Sequence, residues 1–377
     1  METRSGGSGR TTAPGRASHR RRAAAAGALV LATIAVGCAG GGGTGAAPTA
    51  GATFTNPVVH EEAGDPWVIR YGDAYYFTAT LDPEGGLWVW KSPTLTGLDS
   101  ARKVKVWTAP GSGPASAQIW APELHRLDGR WYLYFTASDG VDDHHRIYVL
   151  EAKTDDPLGP YEPPVRVDPA FDHYAIDASV LRMPGGRLYL MYAAGGLFIA
   201  PLSSPTHVAA PGVKIADRTY HPWEHGWRRE GGEWVQDAGY WIEAPEALIH
   251  DGRVFVIYSA GHTATPHYYL GMLSLRGDDP MDPAAWSKSP EPVFAPYESA
   301  AGDVYTTGHN SFTTSPDGTE DWLVYHARDV KWPSPDVHGR RTVRVQPFTW
   351  KADGTPDFGH PVPSGVELPV PSGEVGR

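Results

Sequence analysis

The chain has 377 residues, of which 41% are hydrophobic and 11% aromatic, so it can build a sizeable core. Its 44 Gly and 35 Pro favour many turns over long helices. The formal net charge of the whole chain is −11. Residues 1–37 carry six Arg and one Glu, so the rest of the chain has a formal net charge of −16. A chain this acidic is a poor partner for nucleic acid and other polyanions.

The N-terminus has the features of a bacterial signal peptide. Arg20, Arg21 and Arg22 precede an uncharged run over residues 23–37, which is too short to cross a bilayer comfortably. The run ends at Cys38, the only cysteine, and the sequence AVGC is similar to a lipobox with Ala where Leu is usual. We predict a lipoprotein-type signal peptide over 1–37, lipidation of Cys38 and a Gly/Ala-rich tether over 38–52. Cleavage as an ordinary signal peptide is the alternative.

Five segments share a turn that contains glycine, followed by a dense run of β-branched and aromatic residues. They read YGDAYYFTAT, LDGRWYLYFTAS, PGGRLYLMYAA, HDGRVFVIYSA and PDGTEDWLVYHA. Their glycines are spaced by 57, 57, 66 and 66 residues and are Gly72, Gly129, Gly186, Gly252 and Gly318. Such a turn before such a run is typical of a β-hairpin.

These runs are apolar on both faces, so each strand must be covered on both sides. Each repeat is long enough for four short strands, and five repeats predict an all-β, five-bladed β-propeller. We place this single catalytic domain over residues 53–370. A β-sandwich with coincidental turns is the alternative, which the near-regular spacing disfavours. No stretch has the sustained helical periodicity of an α/β fold.

Polar and aromatic residues recur at one position upstream of the turns. Nine residues before the glycine stand Trp120, Asp177, Glu243 and His309, while Asp65 stands seven before Gly72. If these residues begin equivalent strands, three carboxylates and a histidine converge at one end of the propeller axis. Convergent acids raise one another's pKa values, which serves proton transfer. Each residue alone could be a turn, a cap, a solvated edge or a core histidine, but the shared register favours a site.

At these residues the chain resembles glycoside hydrolase family 43. The resemblance covers about residues 56–363 and is carried by GDPWVIRYGDAYYFTAT, IWAPELHRLDGRWYLYFTA, IDASVL, IEAPEALIHDGRVFVIYSA, TGHNSFTTSPDG with LVYHAR, and RVQPFTWKADGTPDFGHPVP. MDPAAWSKSPEPVF and the stretch from GHNSF to VYHAR are most similar to the exo-acting α-L-arabinofuranosidases. One departure is Ala244, which stands where most members have glycine.

The resemblance implies an inverting mechanism with three carboxylates. Asp65 would be the general base that activates a water, and Glu243 the general acid that protonates the leaving oxygen, with their carboxyls about 6.5–9.5 Å apart. Asp177 would raise the pKa of Glu243 and orient it. Glu246 is expected to face away and is the lesser alternative for the acid.

Other residues have weaker assignments. The resemblance implies that His309 lies beneath the site, contacting substrate or a water-mediated structural calcium, although a lone histidine is weak evidence for calcium. It implies that Arg344 hydrogen-bonds sugar hydroxyls; a structural ion pair is the alternative. Trp120 is suited to lie against a sugar face or to pack in the core. The potential metal cluster in HPWEHGW, namely His221, Glu224 and His225, falls in the long stretch 201–240 and is interpreted as loop. No cofactor is required for the chemistry.

The leading functional hypothesis is an exo-acting α-L-arabinofuranosidase acting on plant cell-wall arabinan or arabino-oligosaccharides. A β-xylosidase or an endo-arabinanase on the same scaffold is the nearest rival. A propeller of this kind could also serve as a non-catalytic sugar-binding lipoprotein or as a protein scaffold, but neither role needs three acids in register. The predicted location is extracellular, with the protein anchored to the outer face of the bacterial membrane only through the lipid.

Overall fold

The computed structural model describes residues 51–81, 85–167, 172–217, 221–332 and 340–374. The predicted signal peptide, Cys38 and almost all of the predicted tether lie outside these residues. The first and last strands are β1 (Thr53–Thr55) and β26 (Glu367–Pro369), which pair with each other. Within the described residues, no helix is long and apolar enough to span a membrane.

Five antiparallel sheets of four or five strands follow one another along the chain. Blade 1 comprises β2 (Gly64–Tyr71), β3 (Ala74–Thr80), β4 (Gly86–Ser92) and β5 (Arg102–Thr108). Blade 2 comprises β6 (Ala117–Leu127), β7 (Arg130–Ser138), β8 (Arg146–Glu151) and β9 (Val165–Arg166). Blade 3 comprises β10 (Ile176–Arg182), β11 (Leu188–Ala193), β12 (Leu197–Ser204), β13 (His207–Val208) and β14 (Val213–Ala216).

A separate hairpin of β15 (His225–Glu230) and β16 (Glu233–Tyr240) precedes the last two blades. Blade 4 comprises β17 (Ile242–His250), β18 (Arg253–Gly261), β19 (Tyr268–Leu275) and β20 (Trp286–Lys288). Blade 5 comprises β21 (Tyr297–Ser299), β22 (Gly302–Thr314), β23 (Asp321–Arg328), β24 (Thr342–Trp350) and β25 (Pro356–Asp357). Short 3-10 helices lie in the connections at Leu95–Ser100, Asp142–His144, Pro222–Glu224 and Pro283–Ala285.

The hydrophobic core lies between the blades. Each of its five clusters joins two neighbouring sheets, and the ring closes where Phe77 of blade 1 packs in one cluster with Trp322 and Val345 of blade 5. The second strand of a blade is therefore covered on both faces, which explains the unbroken apolar runs of the five repeats. The predicted five-bladed β-propeller is confirmed.

The innermost strand of every blade contains a β-bulge. The ladder shifts between Gly64 and Trp67, and at the matching places in the other four blades. One residue in each bulge has a positive φ, between 45° and 56°: Asp65, Ala121, Asp177, Ala244 and His309. A bulge bends its strand and re-aims its side chains, here toward the propeller axis.

The bulges correct the register that the turn glycines predicted. Asp65, Asp177 and His309 are structurally equivalent, whereas Glu243 and Trp120 stand one position earlier in their bulges. The reason is loop length. The hairpin after the inner strand has a two-residue loop in blades 1, 2 and 4 but a longer loop in blades 3 and 5. The glycine is also the first loop residue in blade 1 and the second in blades 2 and 4, so counting back from the glycine does not reach equivalent positions.

Candidate active site

The inner strands converge on a cavity of about 460 Å³, which we call the axial pocket. Each blade contributes one of the residues predicted from the repeats, and all five line the pocket: Asp65, Trp120, Asp177, Glu243 and His309. The carboxyl-bearing residues are largely withdrawn from solvent, and Asp177 is only 6% exposed. The structure thus brings the predicted catalytic acids together in one space.

Asp65 is surrounded by groups that stabilise its ionised form. Its Oδ2 accepts a hydrogen bond from Thr80 Oγ1 at 2.5 Å, and its Oδ1 lies 3.1 Å from Nδ1 of His309 and 3.4 Å from a guanidinium nitrogen of Arg341. Burial alone would raise the pKa of Asp65, but the positive charges of His309 and Arg341 hold it well below its usual range. Asp65 is therefore ionised at neutral pH, as a general base requires.

The surroundings of Glu243 instead favour its protonated form. Burial raises its pKa, and this outweighs the hydrogen bonds that it accepts from Trp241 Nε1 and, at 2.7 Å, from Tyr268 Oη. Burial also raises the pKa of Asp177 to about 8, and the nearby negative charge of Glu243 adds to this rise. Asp177 and Glu243 therefore titrate as a pair that favours retention of a proton. Burial, more than any one neighbouring charge, disfavours ionisation of Glu243.

His309 acts as a charged neighbour of the acids. It is 8% exposed, and Asp65, Asp177 and Glu243 together raise its pKa to about 9 against the effect of burial. Its ring is therefore protonated near neutral pH in the presence of these three carboxylates. In the described part of the chain, no group of three or more His, Cys, Asp or Glu side chains is arranged to hold a metal ion. The water-mediated calcium that the resemblance implies near His309 stays a prediction.

Arg328 and Arg341 line the axial pocket, whereas Arg344 does not. Arg341 lies directly before β24, where its Nε donates to Glu62 Oε1 at 2.7 Å and its guanidinium reaches Asp65. Arg344 lies within β24, is fully buried away from the pocket, and pairs with Asp329 at 2.6 Å. Arg344 therefore forms a structural ion pair and does not reach the sugar site.

The structure also places the remaining candidates. Trp120 lines the pocket and stacks on His145 with ring centroids 4.2 Å apart. Glu246 does not line the pocket; it is buried, and its Oε2 accepts a hydrogen bond from Ser179 Oγ at 2.9 Å. It is therefore not part of a solvated edge either.

The interpretation of HPWEHGW as loop is wrong in part. Glu224 ends a 3-10 helix, is fully buried, and binds Lys288 Nζ and Tyr258 Oη. His225 begins the hairpin strand β15. A buried ion pair with a residue 64 positions away in sequence, which no local pattern reveals, orders this segment.

Several pocket residues were not predicted from the sequence. They include Glu62, Thr80, Tyr174, Trp241, His262 and Arg341. Trp241 stands two residues before Glu243, and Thr80 ends the first repeated run. Proximity to these motifs was therefore the signal in the sequence that could have indicated these two residues. An ionised carboxylate and a carboxyl that favours its proton, held in one pocket, can hydrolyse a glycosidic bond by acid–base catalysis.

Comparisons with known proteins agree with this class. The model of the glycosyl hydrolases family 43 matches residues 54–356. An extracellular exo-α-(1→5)-L-arabinofuranosidase of Streptomyces avermitilis is 37% identical over 353 residues, covering 89% of this chain and 70% of that protein. Another of that name from Streptomyces chartreusis is 38% identical, covering 74% of this chain and 84% of that protein. The crystal structure of an α-L-arabinofuranosidase from Lactobacillus brevis superposes with a TM-score of 0.73 at 32% identity, covering 83% of this chain and 98% of that one.

The family match extends over most of the chain, and the fold and the relatives agree with it. The chain belongs to glycosyl hydrolase family 43 and is a glycoside hydrolase.

Proposed function

We propose that this enzyme is an exo-acting α-L-arabinofuranosidase that releases single arabinose units from arabinan or arabino-oligosaccharides with inversion of configuration. The observation that supports the mechanism is that, within one pocket, the pKa of Asp65 is lowered and the pKa of Glu243 is raised. The names of the relatives from Streptomyces avermitilis and Streptomyces chartreusis support the choice of sugar.

In the proposed reaction, Asp65 takes a proton from a water that attacks the anomeric carbon, and Glu243 donates a proton to the departing glycosidic oxygen. Asp177 and Glu243 are coupled, and the repulsion that would arise if both were ionised helps the pair to retain a proton for the acid step. His309 and Arg341 keep the base ionised. Trp120, whose indole lines the pocket, supplies an apolar face for the bound sugar.

The protein is also proposed to act outside the cell. The N-terminal sequence and the extracellular relatives support secretion. Anchoring through Cys38 rests on the lipobox-like sequence alone. Labelling with a radioactive fatty acid in a bacterial host should mark the wild type and not Cys38→Ser; an unlabelled wild type would exclude the anchor.

A substrate screen tests the activity. The purified enzyme is assayed on 4-nitrophenyl α-L-arabinofuranoside and β-D-xylopyranoside, and on linear and branched arabinans with chromatography of the products. We expect arabinose as the first and dominant product from both the aryl arabinofuranoside and arabinan. Early release of mixed oligosaccharides would indicate an endo-arabinanase, and preference for the xyloside would indicate a β-xylosidase. Binding without turnover would exclude an enzyme of either kind.

A further inference from the structure

A second cavity, of about 480 Å³, is lined by residues of blades 3 and 4, and we call it the basic groove. It is formed by the loop between β10 and β11, the turn between β17 and β18, and the end of β19 with the residues that follow. Its charged side chains are three arginines and one aspartate: Arg187, Arg253, Arg276 and Asp278. The groove therefore has a formal charge of +2, although the whole chain has a formal charge of −11.

The basic groove and the axial pocket lie at opposite ends of the inner strands. Strand β17 begins beside Glu243 at the axial pocket and runs to the turn that contains Gly252 and Arg253. The strand from Glu243 to Gly252 spans roughly 25–30 Å. No described residue lines both cavities. A ligand in the basic groove therefore does not touch the catalytic carboxylates, and the groove is not an extension of the axial pocket.

Two of the three guanidinium groups are positioned by hydrogen bonds to uncharged partners. Arg276 Nε donates to Ser287 Oγ at 2.9 Å. A terminal nitrogen of Arg253 donates to the backbone carbonyl of Asp353. Each guanidinium has five N–H donors, so most of the donors on these two arginines are not used by these bonds.

The charges of the three arginines are not neutralised by ion pairs. Arg341 and Arg344 each pair with a carboxylate, whereas Arg187, Arg253 and Arg276 form no ion pair with a described residue. Three like charges around one cavity repel one another, and a bound anion relieves this repulsion. The planar guanidinium also matches the two oxygens of a carboxylate. The groove is therefore suited to an oxyanion.

The apolar part of the lining indicates which kind of oxyanion fits. The side chains of Met183 and Val254 are buried where they line the groove, and Leu275 is partly buried beside them. A pocket that combines apolar surface with a few charged groups is typical of sites for small organic ligands. A sugar acid has both an apolar ring face and a carboxylate, whereas inorganic phosphate uses the charges alone.

An anionic membrane surface fits the groove less well than a sugar acid does. The chain beyond residue 37 has a formal charge of −16, so a flat anionic surface would meet mostly repulsive charge. A single acidic sugar unit can instead enter the concave groove and contact only the arginines. The observations therefore favour a carbohydrate ligand.

From this arrangement we propose that the basic groove is a second carbohydrate-binding site, which binds the carboxylate of a uronic acid unit. The choice of a polysaccharide as the carrier of that unit rests on the proposed function. Binding in the groove holds the enzyme on a polymer while the axial pocket acts on neutral sugars elsewhere along it, because linking two binding events raises the effective concentration for the second.

Isothermal titration calorimetry of the intact enzyme with digalacturonate tests the site directly. The dimethyl ester of digalacturonate is the matched ligand, since it has the same sugars without the charges. We expect binding of one digalacturonate, weaker binding at higher salt, and no binding of the ester. Arg187→Gln and Arg276→Gln should each raise the Kd for digalacturonate by roughly threefold to tenfold, the effect of losing a charged hydrogen bond at an exposed site.

A charge-matched variant and a kinetic measurement locate the site. Arg102→Gln removes an exposed arginine of β5 that does not line the groove, and it should leave the Kd unchanged. Arg187 and Arg276 are exposed, so their variants should fold, and thermal unfolding is measured to check this. In the wild type, saturating digalacturonate should not inhibit hydrolysis of 4-nitrophenyl α-L-arabinofuranoside. Competitive inhibition would place the ligand in the axial pocket and overturn the proposal.

The remaining outcomes distinguish other ligands and separate this proposal from the proposed function. If inorganic phosphate binds as tightly as digalacturonate with the same dependence on the two arginines, the site is a general anion site and the uronate proposal is wrong. Binding of phosphatidylglycerol vesicles without binding of digalacturonate would indicate a membrane contact instead. Arginine-dependent binding of digalacturonate by an enzyme that cleaves only xylosides would refute the arabinofuranosidase proposal and leave the groove standing. Arabinofuranosidase activity without such binding would refute the groove alone.

Discussion

The carboxylate of Asp177 accepts a hydrogen bond from the backbone N–H of Ala244 at 3.1 Å, which joins blade 3 to the residue after Glu243 in blade 4. In the other four blades, the corresponding bulge N–H is bound by a side chain on the second strand of the preceding blade: Thr80, Thr136, Ser259 and His326. Blade 3 has Ala193 at that strand position, which cannot accept a hydrogen bond. Asp177 takes over this task, so its carboxyl group holds the backbone beside Glu243, the proposed acid, and is electrostatically coupled to that residue.

Asp177→Asn should shift the basic limb of the pH–rate profile to lower pH. The substitution keeps a hydrogen-bond acceptor for Ala244 but removes one of the two coupled carboxyl groups, whose mutual repulsion helps the pair to retain its proton, so Glu243 should lose its proton at a lower pH. The measurement is kcat/KM against pH. Asp177→Ala also leaves a buried N–H unpaired and should cost about 1–3 kcal/mol of stability as well. An unmoved basic limb in Asp177→Asn would contradict the electrostatic role.

Glu243→Gln should lower kcat/KM roughly 10²–10⁴-fold, because a glutamine cannot donate the proton that the leaving oxygen needs. The loss should be smaller for an aryl glycoside with an acidic leaving group. Glu246→Gln is the matched control on the same strand, and it should remain active because Glu246 bonds Ser179 outside the pocket. An active Glu243→Gln beside an inactive Glu246→Gln would reverse the assignment.

Arg341→Gln should shift the acidic limb of the profile to higher pH. Activity requires ionised Asp65, whose pKa burial would raise and the charges of His309 and Arg341 hold low. Without the guanidinium, Asp65 takes up a proton at a higher pH and activity is lost earlier on acidification. The neighbouring exposed Arg340→Gln serves as control. Arg344→Gln should lower the unfolding temperature, because it removes the ion pair between the buried Arg344 guanidinium and Asp329, without moving either limb. Equal shifts in Arg340→Gln and Arg341→Gln would refute this explanation.

Ala244→Gly should stabilise the fold. Ala244 has a φ of 51°, where a residue with a Cβ pays about 1–2 kcal/mol that glycine does not. The greater flexibility of glycine in the unfolded chain offsets about 0.4–1 kcal/mol, so a net gain of about 0.5–1 kcal/mol is expected in urea unfolding. Ala247→Gly in the same strand, without a positive φ, should destabilise. A destabilised Ala244→Gly would mean that the bulge carries no such strain.

Hydrolysis should proceed with inversion. The proposed base and acid come from blades 1 and 4, which are not neighbours in a ring of five, so we expect their carboxyls to face each other across the axis, far enough apart for a water. An α-arabinofuranoside should therefore first yield β-arabinofuranose. Proton NMR of the anomeric signals in the first minutes, before mutarotation, distinguishes the two anomers. Initial appearance of the α-anomer would require a covalent nucleophile and would overturn these roles.

The number of blades could be read from the sequence because it depends on local features. A glycine turn and a run apolar on both faces are properties of about ten consecutive residues, and their repetition predicts a propeller whatever the distant contacts are. The convergence of Asp65, Asp177 and Glu243 on one pocket could be predicted in the same way, since each stands in a short motif at a repeated place.

The geometry of the site depended on residues far apart in sequence. Arg341 and Arg344 are arginines three residues apart, so the sequence alone does not show which one reaches the pocket. Because β24 begins at Thr342, Arg341 lies at the pocket, whereas Arg344 is buried within the sheet. Glu243 and Asp177 both stand nine residues before a turn glycine, yet Glu243 lies one position earlier relative to its bulge. The reason is that the loops of blades 3 and 4 differ in length. Local patterns determine which strands form, whereas burial, charge pairing and side-chain direction arise only when separate blades come together.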